Sequence, residues 1–495
     1  MKYKNTDNSM IDNILKHSQK AFIQYKKIPG RIRAIFLRAI ADEIEAVKDE
    51  LISSAMRETN LPEMRLSGET KRTTDQIRMF AALLDEGSWV EARIDTALPE
   101  RKPVPKTDLR KMVIPIGPVA VFGAANFPIA FSAAGGDTIS ALAAGCSVIV
   151  KAHPAHPETS TLAANAVTRA AEKTGMPERV YQHISLQGKE GIDAGQGLIT
   201  HPLLKGAGFT GSLAGGRALF DLANSRPEPI PFFAEMSSIN PVILLPETLS
   251  RDAQKSAAIL AGSISLGAGQ FCTNPGLIIA VEGEPLERFI KSLDTEIQKI
   301  LPQKMLNQGI AENYYRKLSH ALMQKGVKTE CWAHSDASSD RGKPLVASAN
   351  AETFISNSEL AHEVFGPFSL IIRCRDMEEL YSVSESFEGQ LTITLTGSEE
   401  ELLRNKKLVD IIAEKAGRLI VNDVPTGVEV CHSMQHGGPY PASTDSRFTS
   451  VGTDAIKRFS RPAAFQNFPD TLLPDELKES NPLSIWRLVN GEWKK

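Results

Sequence analysis

The stretch PVAVFGAANFPIAFSAAGGDTISALAAGCSVIVK, residues 118–151, decides the fold of this chain. Two short apolar runs, Val119 to Phe122 and Ser147 to Lys151, predict buried strands, and the Ala-rich segment 129–144 between them predicts a helix. Strands joined through a helix run parallel and are connected by a right-handed crossover. The stretch therefore predicts one βαβ unit of a parallel sheet.

The same alternation continues downstream. A helix is predicted for 158–174, where Gly175 supplies a left-handed cap. The remaining predicted elements are strands at Val180–Ile184, Gly206–Thr210 and Phe232–Glu235, and a helix at Leu213–Ala223. In open parallel sheets, ligands bind beyond the carboxyl ends of the strands. We therefore predict an α/β fold with a Rossmann-type, parallel-sheet domain.

The glycine-rich turn GSLAGGR, residues 211–217, leads into the last of these helices. It is not the GxGxxG fingerprint of dinucleotide sites, so its spacing alone is weak evidence. Gly211 and Ser212 could offer backbone amides and the positive helix end to a pyrophosphate, while Ser212 caps the helix. The alternative is that both residues only form a tight turn and a cap.

The first hundred residues are predicted to be helical. One amphipathic helix is indicated by apolar residues at helical spacing, namely Ile32, Ile35, Phe36, Ile40, Ile44, Val47 and Leu51. A weaker pattern of the same kind comprises Ile11, Ile14, Leu15, Phe22 and Tyr25. The Pro- and Lys-rich segment 98–117 lacks helical period and predicts an exposed hairpin or connecting arm, a candidate dimer contact.

The composition is that of a soluble globular protein. The chain has 495 residues, 42% hydrophobic and 23% charged, which allows two or three domains. A net charge of -3, from 56 basic and 59 acidic residues, gives no general attraction to nucleic acid or anionic membranes. The first 22 residues lack the apolar region of a signal peptide, and no run approaches the roughly 18 apolar residues of a membrane span. We expect a cytoplasmic protein.

One of five cysteines stands out. The number is odd, no CxxC pair occurs, and no spacing resembles a zinc site, so neither a disulfide framework nor a metal is expected. Cys272 lies in GQFCTNPG, 269–276, with carboxylates at Glu235 upstream and Glu363 downstream. A thiol with carboxylates indicates covalent catalysis through sulfur. Beside a dinucleotide that accepts hydride, such a thiol would serve aldehyde oxidation.

Six motifs carry a resemblance that covers nearly the whole chain. They are FGAANFP (122–128), SVIVKAHP (147–154), FTGS (209–212), AEMSSINP (234–241), GQFCTNPG (269–276) and HEVFGPF (362–368). In order and spacing the sequence resembles the aldehyde dehydrogenase superfamily. Two longer stretches, 215–241 and 431–452, look most like its NADP-preferring 2-oxoglutarate semialdehyde dehydrogenase branch, which is close to NADP-linked fatty aldehyde dehydrogenases.

The resemblance implies three catalytic residues. Cys272 would attack the aldehyde, giving a thiohemiacetal and then a thioester. Asn126, with the backbone N–H of Cys272, would stabilise the oxyanion. Glu235 would be the general base that hydrolyses the thioester. Branches that pass the acyl group to coenzyme A commonly lack this carboxylate, so Glu235 favours release of a free acid.

The resemblance also implies how the cofactor is bound. Lys151 matches the residue that contacts the adenine-side ribose, Glu363 the one that holds the nicotinamide ribose, and Phe365 the support of the nicotinamide face. Pro154 stands where NAD-preferring relatives often carry a glutamate that binds the ribose 2'-hydroxyl. Without that carboxylate, Lys151 and His153 could attract a 2'-phosphate. We expect NADP as the preferred cofactor and NAD as the second choice.

Several points stay open at this stage. The expected reaction is oxidation of 2,5-dioxopentanoate to 2-oxoglutarate, with the loop 431–452 as a tunnel wall and Arg447 and His432 as candidate substrate ligands. His432 could instead lie near the thiol and tune it. Alternative functions are oxidation of fatty or medium-chain aldehydes, an acyl-transferring reductase that uses coenzyme A or phosphate, and a non-catalytic descendant.

We expect four parts along the chain. The dinucleotide-binding domain is predicted at 1–97 and 118–237, with 98–117 as a bridging arm. The catalytic α/β domain is predicted at 238–437, and 438–495 would return to the first domain and end in an oligomerisation tail. The resemblance implies a homodimer or a homotetramer.

Overall fold

The computed structural model describes residues 8–495. The α-helices in this range are α1 (Asn8–Tyr25), α2 (Gly30–Ala46), α3 (Lys48–Thr59), α4 (Glu63–Glu86), α5 (Gly136–Ala144), α6 (Pro157–Lys173), α7 (Gly188–Thr200), α8 (Leu213–Asn224), α9 (Pro246–Ser265), α10 (Glu284–Ile297), α11 (Gln308–Leu322), α12 (Ala351–Ser356), α13 (Met377–Glu385), α14 (Glu399–Arg404) and α15 (Lys406–Ala413). The strands in the same range are β1 (Arg93–Asp95), β2 (Leu109–Pro115), β3 (Val119–Phe122), β4 (Val148–Lys151), β5 (Tyr181–Ile184), β6 (Gly206–Thr210), β7 (Phe232–Glu235), β8 (Val242–Leu244), β9 (Leu277–Val281), β10 (Gln303–Lys304), β11 (Lys328–Trp332), β12 (Arg341–Gly342), β13 (Leu345–Asn350), β14 (Phe368–Cys374), β15 (Gln390–Thr396), β16 (Ala416–Val421), β17 (Ser460–Gln466), β18 (Arg487–Val489) and β19 (Glu492–Lys494).

The first sheet has the order β5-β4-β3-β6-β7, and all its neighbouring strands are parallel. The five predicted strands are confirmed to within one residue. The chain fills the sheet outward from β3 in both directions, so the strand order reverses beside β3. Such a switch point opens a crevice at the carboxyl ends of the strands.

The helix after β3 begins later than predicted. We expected a helix over 129–144, but α5 begins at Gly136. The backbone N–H groups of Ile129 and Ala130 instead donate to Glu69 Oε1, each over 2.9 Å. A buried carboxylate from α4 therefore satisfies donors that a helix start would leave unpaired, and 129–135 forms turns.

Two other helical predictions differ from the structure. The single helix expected over 32–51 is broken into α2 and α3 at Val47, whose φ of -109° and ψ of 15° lie outside the helical region. Ile32 and Ile35 face outward, at 43% and 52% exposure. Helix α7, between β5 and β6, was not predicted, because its repeated glycines lower helix propensity by about 1 kcal/mol each.

The second sheet has the order β11-β13-β14-β9-β8-β15-β16. Its neighbours are parallel except for the antiparallel pair β11 and β13. Apolar residues fill the spaces between this sheet and its helices on both faces, as expected where helices cover a parallel sheet. The segment that contains Cys272 ends directly before β9, in the middle of this sheet.

A third sheet, β17-β2-β1-β18-β19, joins distant parts of the sequence. Strand β2 pairs antiparallel with β1 and with β17, and β1 pairs parallel with β18. Leu98 and Lys106 form an isolated antiparallel bridge that closes the loop before β2. Residues 460–494 thus return to the segment that precedes the first sheet.

Within the described residues, no helix has both the length and the apolar character needed to cross a membrane. The prediction about the amino terminus rests in part on residues 1–7, which lie outside the described residues.

Candidate active site

A cavity of about 530 Å³ lies at the carboxyl ends of the first sheet. Nine of the predicted site residues line it: Asn126, Lys151, His153, Gly211, Ser212, Glu235, Cys272, Glu363 and Phe365. They come from the ends of β3, β4, β6 and β7 and from two loops beside the second sheet. The cavity is therefore shared between the first sheet and the elements that follow it.

Two glycines bring the loops of Cys272 and Glu363 together. Gly269 has a φ of +64°, and a Cβ there would lie 2.3 Å from the carbonyl oxygen of Gly366. Only a glycine permits this backbone approach. The buried side chain of Asn240 donates to the carbonyl of Cys272 over 2.9 Å, which holds the loop that contains Cys272 in place.

His436 contacts both Cys272 and Glu235. Its Nε2 lies 3.4 Å from Sγ of Cys272 and 3.0 Å from Oε1 of Glu235. The imidazole is buried, and the backbone N–H of His436 donates to Thr449 Oγ1 over 2.8 Å. No role for His436 was predicted from the sequence. Its only local signal is the string QHGG, which resembles many turns.

Glu235 ends β7 as a buried carboxylate. Ser450 Oγ donates to its Oε2 over 2.6 Å. Burial opposes ionisation, but the facing His436 and the Ser450 hydroxyl outweigh it, so the pKa of Glu235 lies below its ordinary value. The side chain is therefore ionised near neutral pH, as a general base must be.

The Cys272 thiol is protonated in the resting site. Burial and the negative charges of Glu235 and Glu363 raise its pKa well above the ordinary value, and Arg72 opposes them only in part. The thiolate must therefore form as the proton passes to a neighbour. His436 Nε2 and Glu235 are placed to accept this proton, since the Cys272 sulfur, the His436 nitrogen and a Glu235 carboxylate oxygen lie within 4.8 Å of one another. The same set would also suit a zinc ion, which accepts sulfur, imidazole and carboxylate ligands.

Asn126 lies on the loop after β3 and is nearly buried. Its Nδ2 donates to the carbonyl of Gln270 over 3.1 Å, two residues before the nucleophile. An amide nitrogen carries two hydrogens, so one remains to donate toward an oxyanion at Cys272.

The glycine-rich turn is partly used by the protein itself. Ser212 caps α8, since its Oγ accepts from Gly215 N over 3.2 Å. The N–H of Gly211 donates to the carbonyl of Glu235 over 3.1 Å. The positive end of α8 still faces the cavity, which Gly211, Ser212 and Gly215 line.

Lys151 is the last residue of β4 and His153 lies two residues after it, and both line the cavity. Burial lowers the pKa of Lys151. Burial, with His156 and Lys151 nearby, lowers the pKa of His153 to about 3, so its ring is neutral near pH 7. Its Nδ1 accepts from Ala155 N over 3.1 Å, which leaves the proton on Nε2. His153 can thus donate a hydrogen bond but does not add the positive charge suggested above.

Glu363 lines the cavity, as do Cys272 and Lys317. Its Oε2 accepts a hydrogen bond from Ser237 Oγ over 2.9 Å. Burial raises the pKa of Glu363 to about 7, against the opposing effects of Ser237 and Lys317. This carboxyl therefore changes its charge within the physiological range.

The two candidate substrate residues do not line the cavity. Both are exposed. His432 Nδ1 forms a hydrogen bond with Thr453 Oγ1 over 3.1 Å, and Arg447 forks onto Asp445 with contacts of 2.6 and 2.9 Å. The histidine beside the thiol is His436, four residues further along the chain.

Known proteins resemble the chain along most of its length. Residues 1–462 match the aldehyde dehydrogenase family. The chain is 47% identical over 482 residues to the alpha-ketoglutaric semialdehyde dehydrogenase of Acinetobacter baylyi. The matched region covers 97% of this chain and 91% of that protein. It is 48% identical over 476 residues to alpha-ketoglutaric semialdehyde dehydrogenase 2 of Azospirillum brasilense, with coverage of 96% and 90%.

A solved structure shows the same fold at low identity. The glyceraldehyde-3-phosphate dehydrogenase GapN from Methanocaldococcus jannaschii, complexed with NADP, superposes with a TM-score of 0.76 at 19% identity and covers 94% of this chain and 95% of that one. The chain belongs to the aldehyde dehydrogenase family and is an NAD(P)-dependent oxidoreductase.

Proposed function

We propose that the protein oxidises 2,5-dioxopentanoate to 2-oxoglutarate with NADP. The observation that carries this proposal is the identity of 47% and 48%, over nearly the whole chain, to two relatives that are named for this substrate. Cys272, Glu235 and Asn126 line one cavity, as oxidation to a free acid requires.

The first step forms a bond between Sγ and the aldehyde carbon. The thiol proton of Cys272 passes to His436 or Glu235, and the thiolate attacks. The carbonyl oxygen becomes an oxyanion that accepts hydrogen bonds from Asn126 Nδ2 and the backbone N–H of Cys272. Each such donor typically lowers the barrier by about 2.7–4 kcal/mol.

The second step leaves an acyl group on sulfur. When bound, NADP supplies the acceptor for the hydride that leaves the thiohemiacetal carbon. Glu363 and Phe365 would hold the nicotinamide end beside Cys272, and Lys151 would hold the adenosine end. The cavity fits this arrangement, since the thiol and Lys151 line the same space.

The third step hydrolyses the thioester. Ionised Glu235 takes a proton from water, the hydroxide attacks the acyl carbon, and the thiolate leaves. Ser450 and His436 hold the carboxylate in place. Because this base is present and ionised, we propose release of a free acid rather than transfer to coenzyme A.

The residues at the end of β4 support the proposed preference for NADP over NAD. Position 154 is a proline and carries no carboxylate. Lys151 offers a positive charge, and His153 Nε2 offers a hydrogen-bond donor. A 2'-phosphate would meet no repulsion there. We expect kcat/KM with NADP to exceed that with NAD by about 10-fold, the worth of one charge-assisted contact. A preference for NAD would overturn this part of the proposal.

We also propose a homo-oligomer built from dimers. Strand β16 is an edge strand of the second sheet, and its Leu419 and Val421 are 41% and 52% exposed. Exposed apolar strand edges invite pairing with a second chain. Light scattering should give twice or four times the chain mass of 53.9 kDa, whereas a single-chain mass would contradict the proposal.

The substrate proposal is tested with purified protein. Initial rates are compared for 2,5-dioxopentanoate, succinate semialdehyde, glutaraldehyde and decanal, with NADP and NAD and with and without coenzyme A. We expect 2,5-dioxopentanoate to give the highest kcat/KM without coenzyme A. A kcat/KM for decanal greater by about tenfold, or about 1.4 kcal/mol, would overturn the proposed substrate, and an absolute need for coenzyme A would overturn the proposed reaction.

A further inference from the structure

Helix α4 presents two guanidinium groups to the rings beside the catalytic residues. Arg65 and Arg72 are seven residues apart, about two helical turns, and so share one face of α4. Cζ of Arg65 lies 4.6 Å from the ring centre of Phe127 and 4.9 Å from that of Phe271. These rings directly follow Asn126 and directly precede Cys272. We call Arg65 and Arg72 the arginine pair.

Arg72 has no polar partner among residues 8–495. Its Cζ lies 5.5 Å from the ring centre of Phe131 and 6.0 Å from that of Phe127. Its Nη1 is buried without a hydrogen bond. A buried cationic donor without a partner is costly, and proteins retain such a group where an anion binds.

Nearby carboxylates do not neutralise the pair. Glu69 Oε2 lies 3.7 Å from Arg65 Nη2, but Oε1 is occupied by the N–H groups of Ile129 and Ala130. Burial raises the pKa of Glu69, and Arg65, Arg72 and the two backbone N–H groups oppose that rise. Glu429, which also faces Arg72, is exposed to solvent. Glu235 also acts on Arg72, but its carboxylate is engaged by Ser450 and His436. Arg72 therefore has no carboxylate within hydrogen-bond distance among the described residues.

The pair lies within electrostatic range of the nucleophile. Burial lowers the pKa of both arginines, and the negative charge of a Cys272 thiolate opposes that lowering in each case. Arg65 Nη2 also donates to the carbonyl of Asn126 over 3.0 Å, so it is tied to the oxyanion loop. Neither arginine is among the residues that line the cavity of about 530 Å³, so an anion against Arg72 would approach Cys272 from outside that cavity.

We propose that Arg72, positioned beside Arg65 on α4, binds the distal carboxylate of the substrate while Phe127 and Phe271 pack against its carbon chain. The substrate class is then a short aldehyde that ends in a carboxylate, and a neutral long-chain aldehyde leaves Arg72 unpaired. For its particular substrate this inference rests on the proposed function. For the class of substrate it stands on the arginine pair alone.

The test compares an acidic and a neutral aldehyde of the same carbon number. Arg72→Met should lower the ratio of kcat/KM for 2,5-dioxopentanoate to kcat/KM for pentanal by about 100-fold, mainly through KM, because the buried ion pair is lost. Arg72→Lys keeps the charge and should recover part of the ratio. A ratio within about twofold of the wild-type value in Arg72→Met would overturn the proposal.

Arg78→Met is the matched control. Arg78 lies on the same helix but pairs on the outer face with Glu45 at 2.6 Å and Asp42 at 2.9 Å. Its removal should leave the ratio unchanged, whereas an equal fall in both variants would overturn the proposal. Thermal unfolding of each variant confirms that it is folded.

A measurement on the wild-type protein does not depend on any variant folding. Glutarate should inhibit pentanal oxidation competitively, and 1-pentanol at the same concentration should inhibit it far less. Equal inhibition by the two compounds would overturn the proposal.

The outcomes separate this inference from the proposed function. If the wild type prefers succinate semialdehyde to 2,5-dioxopentanoate and Arg72→Met abolishes the preference for acids, the anion site stands and the proposed substrate fails. If the wild type prefers 2,5-dioxopentanoate and Arg72→Met retains that preference, the proposed function stands and the anion site is overturned.

Discussion

One imidazole links the base to the nucleophile. His436 lies 3.0 Å from the Glu235 carboxylate and 3.4 Å from the Cys272 sulfur, so one group influences proton transfer in both acylation and deacylation. Glu235 and Cys272 were predicted from their motifs, but His436 was not, because it is 164 residues from Cys272 and only the fold brings them together. His432, a candidate substrate ligand for which a place near the thiol was the alternative, is exposed.

Replacing His436 should change the pH dependence of catalysis. His436 lowers the pKa of Glu235, so His436→Ala should raise that pKa and move the acidic limb of the kcat profile to higher pH. Loss of the proton path should also lower kcat by about 10²-fold. His432→Ala, four residues away on the exposed loop, is the control and should match the wild type. A pH profile of His436→Ala that superposes on the wild-type profile would refute this role.

Glu363 should make cofactor binding pH-dependent. Its pKa of about 7 means that it becomes an anionic acceptor for ribose hydroxyls as pH rises through 7, so the KM for NADP should fall between pH 6 and pH 8. Because the folded-state pKa is raised, its contribution to the free energy of unfolding is full below pH 4.5 and is lost as pH rises to about 7.

Glu363→Gln should raise the KM for NADP at pH 8 by about 10-fold and remove its pH dependence, since a neutral amide replaces a charged acceptor. The exposed Glu359, on the same segment, offers the control Glu359→Gln. Persistence of the pH dependence in Glu363→Gln would show that another group causes it.

At the scale of elements, the site depends on contacts between segments far apart in sequence. The strands of the first sheet were predictable because each is a continuous apolar run. The start of α5 was not, because a carboxylate on α4 determines it. The close contact between Gly269 and Gly366 was not predictable either, because a glycine in a motif does not indicate which backbone segment it will contact.

A buried ion pair joins α5 to the segment directly before β17. Arg458 donates to Asp137 in the first turn of α5 over 2.6 Å, and both side chains are less than a tenth exposed. Arg458→Met should reduce the free energy of unfolding by about 3–5 kcal/mol, because a carboxylate is left buried without its partner. Denaturant unfolding measures the change.

The matched control is an exposed ion pair. Arg57 and Glu158 are each 57% exposed, so Arg57→Met should cost less than about 1 kcal/mol. If the two variants unfold at the same denaturant concentration, the Arg458–Asp137 pair does not stabilise the contact between α5 and the segment before β17.

At the scale of the whole molecule, the catalytic groups come from three parts of the chain. Asn126 follows β3 and Glu235 ends β7 of the first sheet, Cys272 precedes β9 of the second, and His436 lies on the loop between β16 and β17. Local patterns predicted the elements, while the grouping of Asn126, Glu235 and Cys272 came from family resemblance. The position of His436 and the arginine pair required the tertiary structure, because their partners lie on other elements.

The most direct test of the account is a single-turnover measurement on Glu235→Gln. His436 remains to accept the thiol proton, so the variant should release about one equivalent of NADPH per chain in a burst and then stall, because the base that hydrolyses the thioester is missing. Mass spectrometry of the stalled protein should find the acyl group on the peptide that contains Cys272. Steady turnover without a burst, or an acyl group on another residue, would contradict covalent catalysis through Cys272.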